Sequence, residues 1–537
     1  MHTANPPVLA TLDILVRSRL LSLLRPDKYI RMVREVRRSG VTATTGIALA
    51  AIRCPHRRAL VDERGVMTFR ELDDSSHALA AALESRGIRP GDRVGMLCRN
   101  HRGFVQALAA IGRVGADAVL LNTAFAAPQL GDVIAREGVE LLIYDAEFQD
   151  LVDDSNPPES LDRILAWTDG ASDCTTLDLL IEESRGLRAT RPPKPGRVVL
   201  LTSGTTGLPK GASRGGGGDI GTLAAMLQRI PWRSEETVVV AAPMFHAWGF
   251  GQLLIAATMA CTVVMTRRFD PESTLAAADR ERATGIAVVP VMLERIVDLP
   301  EDVLCRYVLN DLRFVTASGS RMRPDAVTEF MDRYGDTVYN SYNATEAGMI
   351  AIATPAELRA SQGTAGRPVA GVDVRLLNDE GTEVRVGEVG EIFVRSVTTF
   401  DGYTSGETKP IRDGYMSSGD LGSFDAAGLL SVVGRVDDMI VSGGENVFPI
   451  EVEESLLNHP DVVEAAVLGV EDHGFGQRLS AWVALRPDAL TTSDELKRHV
   501  RANLGSYKVP RDVFFIAQLP RNAAGKVVKR ELLKGSV

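Results

Sequence analysis

The chain has 537 residues, 45% of them hydrophobic and 24% charged, with a mean hydropathy of +0.01. This ordinary globular composition excludes a disordered chain, a collagen-like repeat and a disulfide-stapled miniprotein, and at about 150 residues per domain it allows three to four folding units. Sixty basic against seventy acidic residues leave a net charge of −10, which speaks against a nucleic-acid partner.

The first block, from Pro7 to Arg38, differs from the rest. It carries Arg17, Arg19, Arg25, Lys28, Arg31, Arg34, Arg37 and Arg38 against only Asp13, Asp27 and Glu35, a local charge of +5 that leaves about −15 for the remainder. Leu9, Leu12, Val16, Leu20 and Leu23 share one helical face, as do Tyr29, Met32, Val33 and Val36 after a break at Pro26. A basic amphipathic helix of this kind suits an anionic membrane surface, and a pair of helices docked on the protein body is the alternative.

From Arg58 to about Pro195, helical stretches (Thr68–Arg86, Phe104–Val114) alternate with short apolar strands (Arg93–Cys98, Ala118–Asn122, Glu140–Tyr144). Further strands are expected at Arg197–Thr202, Thr237–Ala242, Ala287–Pro290 and Phe314–Ala317. The alternation predicts parallel α/β layers. Between Thr237 and Thr266 there is no Asp, Glu, Lys or Arg, a stretch long enough to imitate a membrane span. Pro243, His246, Gly249, Gly251 and Gln252 interrupt it, so a buried strand, a loop, a helix and a second strand are expected instead. After Gly363 come short β runs with glycine-rich turns (Val372–Leu377, Gly390–Arg395, Leu430–Val433), which predict a small β-rich subdomain. The last hundred or so residues return to helix and strand at Glu451–Asn458, Val463–Val470, Leu479–Leu485 and Asp494–Asn503. The expected fold is α/β: a large N-terminal domain of layered α/β subdomains with a β-rich piece, then a small mobile α+β C-terminal domain. The boundaries read as 1–40, 41–435 and 436–537.

The five cysteines (Cys54, Cys98, Cys174, Cys261, Cys305) are odd in number and far apart, without a CxxC pair. Neither a disulfide framework nor a zinc cage is expected, and a reducing compartment fits. The opening MHTANPP lacks a charged region followed by an apolar core, so no secretory signal is expected. A cytoplasmic protein is expected, peripheral at the inner membrane face only if residues 7–38 lie on the membrane instead of docking on the protein body.

Arginine outnumbers lysine 51 to 9, so each lysine carries some information. Lys210 closes the segment Val199-Leu-Leu-Thr-Ser-Gly-Thr-Thr-Gly-Leu-Pro-Lys-Gly211, in which an apolar strand runs into hydroxylated residues and glycines. Glycines let the backbone approach phosphate oxygens, hydroxyls donate hydrogen bonds, and the lysine adds a mobile charge. It is not a Walker A loop, which requires Ser or Thr after Gly-Lys. The segment resembles the phosphate loop of the adenylate-forming superfamily: acyl-CoA synthetases, firefly-type luciferases and peptide-synthetase adenylation domains. Further blocks follow in that family's order over nearly the whole chain.

The resemblance implies roles residue by residue. Thr202, Ser203, Gly204, Thr205, Thr206, Gly207 and Lys210 would bind the phosphates of ATP. In Tyr342-Asn-Ala-Thr-Glu346, Tyr342 would stack on adenine, Thr345 would bind phosphate and Glu346 would hold Mg²⁺. Ser318 and Gly319 resemble the loop lining the adenine pocket, although the family more often has Gly-Gly-Ala there. In Ser417-Ser-Gly-Asp-Leu-Gly422, Asp420 would accept the ribose hydroxyls, with Ser418 replacing the usual threonine. In the block Gly434–Pro449, Arg435 would contact ribose and Asp437 would be the hinge of the C-terminal domain. Gly443, Gly444 and Glu445 would lie beside the pantetheine tunnel. Lys526, in Pro520-Arg-Asn-Ala-Ala-Gly-Lys526, resembles the lysine that enters the site for adenylation. His246 and Trp248 resemble residues at the mouth of the acyl pocket, with Trp248 as a gate.

The activity implied is ATP-dependent ligation: a carboxylate and ATP give acyl-AMP and pyrophosphate, then a thiol displaces AMP. The apolar wall Phe245–Leu254 and the basic N-terminus favour a fatty acid, with CoA as acceptor, because Asn446-Val-Phe-Pro449 resembles the acyl-CoA synthetase branch. Alternatives are a fatty acyl-AMP ligase that loads a carrier protein, and a CoA ligase for an aryl or sterol-type acid. Monomer and homodimer both fit. The run Gly215–Gly218 is expected to be a flexible loop.

Overall fold

The computed structural model describes residues 8–40, 44–202, 210–214, 220–344, 346–396, 408–442, 445–472, 476–504, 508–522 and 525–534. The chain divides into two compact units, His2–Asp373 with Arg395–Lys409, and Val374–Val394 with Pro410–Val537.

The first unit is built on two largely parallel sheets. A six-stranded sheet runs in the order Asp162–Trp167, Leu141–Asp145, Arg93–Leu97, Asp117–Leu120, Val198–Thr202, Lys210–Arg214, all parallel except the last. A nine-stranded sheet has the parallel centre Val338–Ala344, Phe314–Ala317, Gly285–Val288, Thr237–Val240, Thr262–Val264, Arg58–Asp62, with antiparallel strands at both edges. Strands 237–240, 285–288 and 314–317 are buried throughout, as continuous Val, Ile and Ala runs between helix layers should be. A side chain at Gly285 would put its Cβ 2.1 Å from the Phe314 ring, so the parallel pairing of these strands requires glycine there.

The helices start where sequence chemistry places them. Helix Phe69–Ser85 opens on a capping box: the Thr68 hydroxyl accepts the Glu71 N–H, and the Glu71 carboxylate accepts the Thr68 N–H at 2.7 Å. Those hydrogen bonds hold the Glu71 carboxyl below its ordinary value. The charge-free stretch resolves into strand Thr237–Val240, a loop, helix Ala247–Thr258 and strand Thr262–Val264. Among the described residues no helix is long and apolar enough to cross a membrane.

The second unit holds two five-stranded sheets. One contains Asp373–Leu377, Gly390–Arg395, Tyr415–Phe424, Ile411–Arg412 and Leu430–Arg435. The other contains Glu445–Val447, Ile440–Ser442, Gly476–Leu485, Val462–Asp472 and Asp512–Phe515, covered by helices Pro449–Leu457 and Ser493–Asn503.

All five cysteines are free thiols. Burial pushes the Cys98 thiol well above its ordinary value and Cys261 up to about 12; burial and the nearby Glu235 carboxylate push Cys54 up to about 11. These thiols hold their protons more tightly folded than unfolded. Their contribution to stability is therefore intact below the unfolded thiol value of about 8.5 and is lost as pH rises toward the folded values. Iodoacetamide on the native protein at about pH 8 should alkylate the exposed Cys174 and Cys305 and spare the other three, with all five reacting in urea. Native labelling of Cys98 as fast as Cys174 would contradict this packing.

Candidate functional site

Open α/β sheets place ligands at the carboxyl ends of their strands. In the first unit, strand Val198–Thr202 pairs antiparallel with Lys210–Arg214, and Thr202 stands opposite Lys210. Ser203, Gly204, Thr205, Thr206 and Gly207 lie outside the described residues, as do Gly215–Gly218, Thr345 and the side chains of Thr202 and Lys210. The registered pair nevertheless brings the entry and exit of the glycine-rich segment to one place at the edge of the six-stranded sheet.

In the nine-stranded sheet, Phe314–Ala317 runs parallel to Val338–Ala344, so Ser318, Gly319 and Tyr342 come from neighbouring strand ends. The buried Ser318 hydroxyl accepts a hydrogen bond from the Asn343 amide at 2.9 Å. Gly319 has φ +112°, a backbone conformation that disfavours any side chain. Tyr342 and Glu346 are half-buried, the latter in the turn that follows the strand. An aromatic ring, a hydroxyl and a carboxylate from adjacent strands can stack a base and hold a hard cation. Glu346 fits Mg²⁺, which uses one or two carboxylates and completes its shell with phosphate and water.

His246 is the cap of helix Ala247–Thr258, half-buried, its ring 4.5 Å from that of Phe245. The Trp248 indole N–H donates to the Val288 carbonyl at 2.8 Å, which ties its ring to the neighbouring strand end. A Cβ on Gly249 would lie 2.3 Å from the Pro243 carbonyl oxygen, which makes glycine obligatory where the helix turns back over its own loop.

Asn100, absent from the sequence-level site, organises this wall. Its amide donates to the carbonyls of Ala242 at 2.9 Å and Val240 at 3.3 Å, and its oxygen accepts the Met244 N–H at 2.8 Å. The residue is 5% exposed and belongs to the segment leaving the six-stranded sheet, so it clamps the loop that carries His246 to that sheet. Its neighbour His101 is also fully buried, with Nε2 2.8 Å from Asp145 Oδ1, while Asp145 Oδ2 accepts the Arg99 N–H. His101 Nδ1 has no partner, which leaves Nε2 as the protonated nitrogen. Cys98 joins them, ligand-type atoms of the three lying within 4.8 Å of one another, although no metal spacing is visible in the sequence. With both Asp145 oxygens engaged, the trio reads as internal bracing of the Asn100 segment.

In the second unit, Asp420 and Arg435 are directly opposite on antiparallel strands, and Arg435 Nη1 donates to Asp420 Oδ1 at 3.1 Å. The two residues assigned to ribose are thus side by side. The Ser418 hydroxyl donates to the Ile392 carbonyl and accepts the Asp420 N–H at 3.1 Å. Asp437 lies in a short 3₁₀ turn, and its neighbour Asp438 is paired with Lys529 at 2.6 Å. Gly443 and Gly444 lie outside the described residues, and Glu445 is described only as backbone paired with Ser442. Lys526 is exposed at the end of a tight turn: its N–H donates to the Asn522 side chain at 2.9 Å, and its carbonyl accepts the Asn522 N–H. Arg521, paired with Glu464 at 2.7 Å, donates to the Gly525 carbonyl and braces the same turn.

Comparison with known proteins identifies the family. Residues 48–404 match the family model described as AMP-binding enzyme, and residues 451–526 match the AMP-binding enzyme C-terminal domain. A feruloyl-CoA synthase from Amycolatopsis sp is 34% identical over 483 residues, covering 89% of this chain and 96% of the relative. A 3-[(3aS,4S,7aS)-7a-methyl-1,5-dioxo-octahydro-1H-inden-4-yl]propanoyl:CoA ligase from Rhodococcus jostii is 30% identical, covering 91% and 98%. The o-succinylbenzoate CoA synthetase of Bacillus subtilis, solved with its acyl-adenylate intermediate, superposes with TM-score 0.77 at 28% identity, over 91% of this chain and 97% of that one. The same enzyme has been solved with ATP and magnesium ion.

Asn100→Ala should raise the KM for the acyl substrate about tenfold or more while leaving that for ATP within about twofold, since losing buried hydrogen-bond partners costs about 1–3 kcal/mol. Equal weakening of both substrates in steady-state assays would show that the clamp acts on the whole unit and not on the His246 loop.

Proposed function

We propose that this chain, which belongs to the adenylate-forming AMP-binding enzyme family and is an ATP-using acid–thiol ligase of its acyl-CoA synthetase branch, activates a ring-bearing carboxylic acid and transfers it to CoA. A fatty acid was the expectation from the apolar wall and the basic N-terminus, with an aryl or sterol-type acid as an alternative. The relatives are named for feruloyl, o-succinylbenzoate and an octahydroindenyl propanoate, none of which is a straight-chain fatty acid. The observation that carries the reading is the fixed aromatic wall. Trp248 is anchored to Val288, and Phe245 and His246 pack ring on ring, a rigid surface suited to a flat or fused-ring acid.

A carboxylate resists attack because oxide would have to leave. Transfer of AMP from ATP supplies a good leaving group, and negative charge gathers at the α-phosphate as pyrophosphate departs. Tyr342 would stack the adenine beside Ser318 and Gly319, and Asp420 would accept the ribose hydroxyls next to Arg435. Thr202, Thr345, the segment 203–207 and Lys210 would hold the phosphates. Glu346 would carry Mg²⁺, which neutralises charge on the polyphosphate when bound. Lys526 would stabilise the adenylation transition state; one such donor is worth about 2.7–4 kcal/mol, or about 10²–10³ in rate. Its turn, prearranged by Asn522 and Arg521, presents the lysine without further ordering. Asp437 would be the hinge that exchanges Lys526 for the Gly443–Glu445 face when CoA enters, which sets the domain boundary at 435/436.

Two assays test this. Release of AMP with hydroxycinnamates, benzoates, alicyclic propanoates and saturated fatty acids, each with and without CoA, should show CoA-dependent turnover highest for a ring-bearing acid. Preference for a long-chain fatty acid would overturn the substrate reading while leaving the ligase class intact. Lys526→Ala should slow adenylation about 10²–10³-fold and leave thioester formation from supplied acyl-AMP within about threefold; comparable loss in both half-reactions would remove the assigned role.

A further inference from the structure

Residues 8–39 precede both matched family ranges, and no step above uses them. They form helix α1 (Val8–Arg17), a turn, and helix α2 (Pro26–Ser39), which packs on α3 (Thr45–Arg53). One buried side chain fixes the turn. Arg53, 6% exposed, donates to the carbonyls of Leu20 and Arg19, both at 2.8 Å, and to the Ser22 hydroxyl, while its Nε pairs with Glu235 at 2.7 Å. Lys28 donates to the Arg53 carbonyl at 2.5 Å, and the Ser234 N–H to that of Ser18 at 2.8 Å. The element is therefore held on the body of its unit in one orientation.

That orientation turns apolar side chains outward. On α1, Leu15 is 3% exposed, but Leu9 is 81% and Val16 58% exposed. On α2, Met32 and Val36 are half-buried, whereas Ile30 is 53% and Val33 50% exposed, and Leu23 in the turn is fully exposed. At 100° per residue, Arg31 and Arg34 fall on the flank between this outward stripe and the buried side. They line a cavity of about 240 Å³ together with Arg113, Arg188, Asp73 and Glu35. Asp73 is taken up by Arg113, and Arg188 donates to His77 at 3.1 Å. Arg31 and Arg34 form no ion pair among the described residues. The cavity thus has four guanidinium groups against two carboxylates, in a segment of local charge +5 on a chain of net charge −10.

We propose that α1–α2 docks on an anionic bilayer, with Leu9, Val16, Leu23, Ile30 and Val33 entering the headgroup–acyl boundary and the Arg31–Arg34 cavity receiving a phospholipid phosphate. Guanidinium forks match phosphate oxygens in pairs, and an apolar stripe flanked by arginine is the pattern of helices that lie in the interface plane. The proposal is independent of which acid the enzyme activates.

The test is co-sedimentation of the full chain with vesicles of phosphatidylcholine alone or of equal parts phosphatidylcholine and phosphatidylglycerol. Binding to the mixed vesicles, weak binding to the neutral ones, and release by high salt are expected. The double variant Arg31→Glu/Arg34→Glu should weaken binding at least about tenfold. Ile30→Ser/Val33→Ser, and separately Leu9→Ser/Val16→Ser, should weaken it at low salt as well. Far-UV circular dichroism and ligase turnover on a soluble acid without vesicles should match wild type in all three variants. Absence of vesicle binding, equal binding to neutral vesicles, or binding unchanged by the glutamates would each overturn the proposal. So would capture of glycerol 3-phosphate without bilayer binding, or self-association that the serine variants abolish in place of vesicle binding.

Discussion

The loop that carries His246 and Trp248 depends on one buried amide. Asn100 satisfies two carbonyls and one N–H of the segment Val240–Met244, and so ties the end of the six-stranded sheet to the loop leaving the nine-stranded one. No other residue type does this in the same space: the two donors and one acceptor must come from a single planar group. A buried carbonyl or N–H left without a partner costs about 1–3 kcal/mol, so the loop cannot drift without losing several such bonds together. His246 and Trp248 inherit their positions from that clamp. The His101–Asp145 pair behind it keeps the clamp's own segment in place at 2.8 Å.

A second constraint governs the residues proposed for the nucleotide. Parallel strands deliver consecutive side chains to one sheet edge, and the register Ala317↔Asn340 puts Ser318 beside Asn343. In the other unit the same economy is achieved by antiparallel pairing, where the register Asp420↔Arg435 sets an acceptor and a cation directly across from each other. Neither pair needs a dedicated scaffold; the hydrogen-bonding ladder that stabilises each sheet also positions the polar groups.

Much of this was legible in the residues. Val and Ile runs with helical periods between them marked the strands at 93–97, 237–240 and 314–317 to within a few positions, because apolar periodicity is a local property. The motif blocks single out Tyr342, Asp420 and Lys526 as candidates for the site. Asn100, His101 and Asp145 carried no such signal, since their partners lie 44 to 144 positions away and only the sheet order brings them together. Nor does the residue order reveal that the Trp248 N–H meets the Val288 carbonyl. An apolar run such as Phe245–Leu254 reports burial and not the shape of what it faces, so it does not separate a fatty acid from the ring-bearing acids named for the relatives.

The N-terminal helices show where periodicity stops being informative. Leu9, Leu12 and Val16 on one face predict an amphipathic helix, but the pattern is identical whether that face packs inward or points out. Arginine content does not decide it either, since seven arginines to one lysine in this segment is close to the 51 to 9 of the whole chain. The deciding feature is the buried Arg53, whose guanidinium spends three hydrogen bonds on the turn between α1 and α2. A desolvated cation is held this way only when its acceptors stay in place, and with the turn so fixed the helices cannot roll to bury the stripe. Leu9, Val16, Leu23, Ile30 and Val33 therefore remain outside, beside Arg31 and Arg34, which form no ion pair among the described residues. The boundary between lipid phosphates and acyl chains would satisfy both halves of that juxtaposition at once.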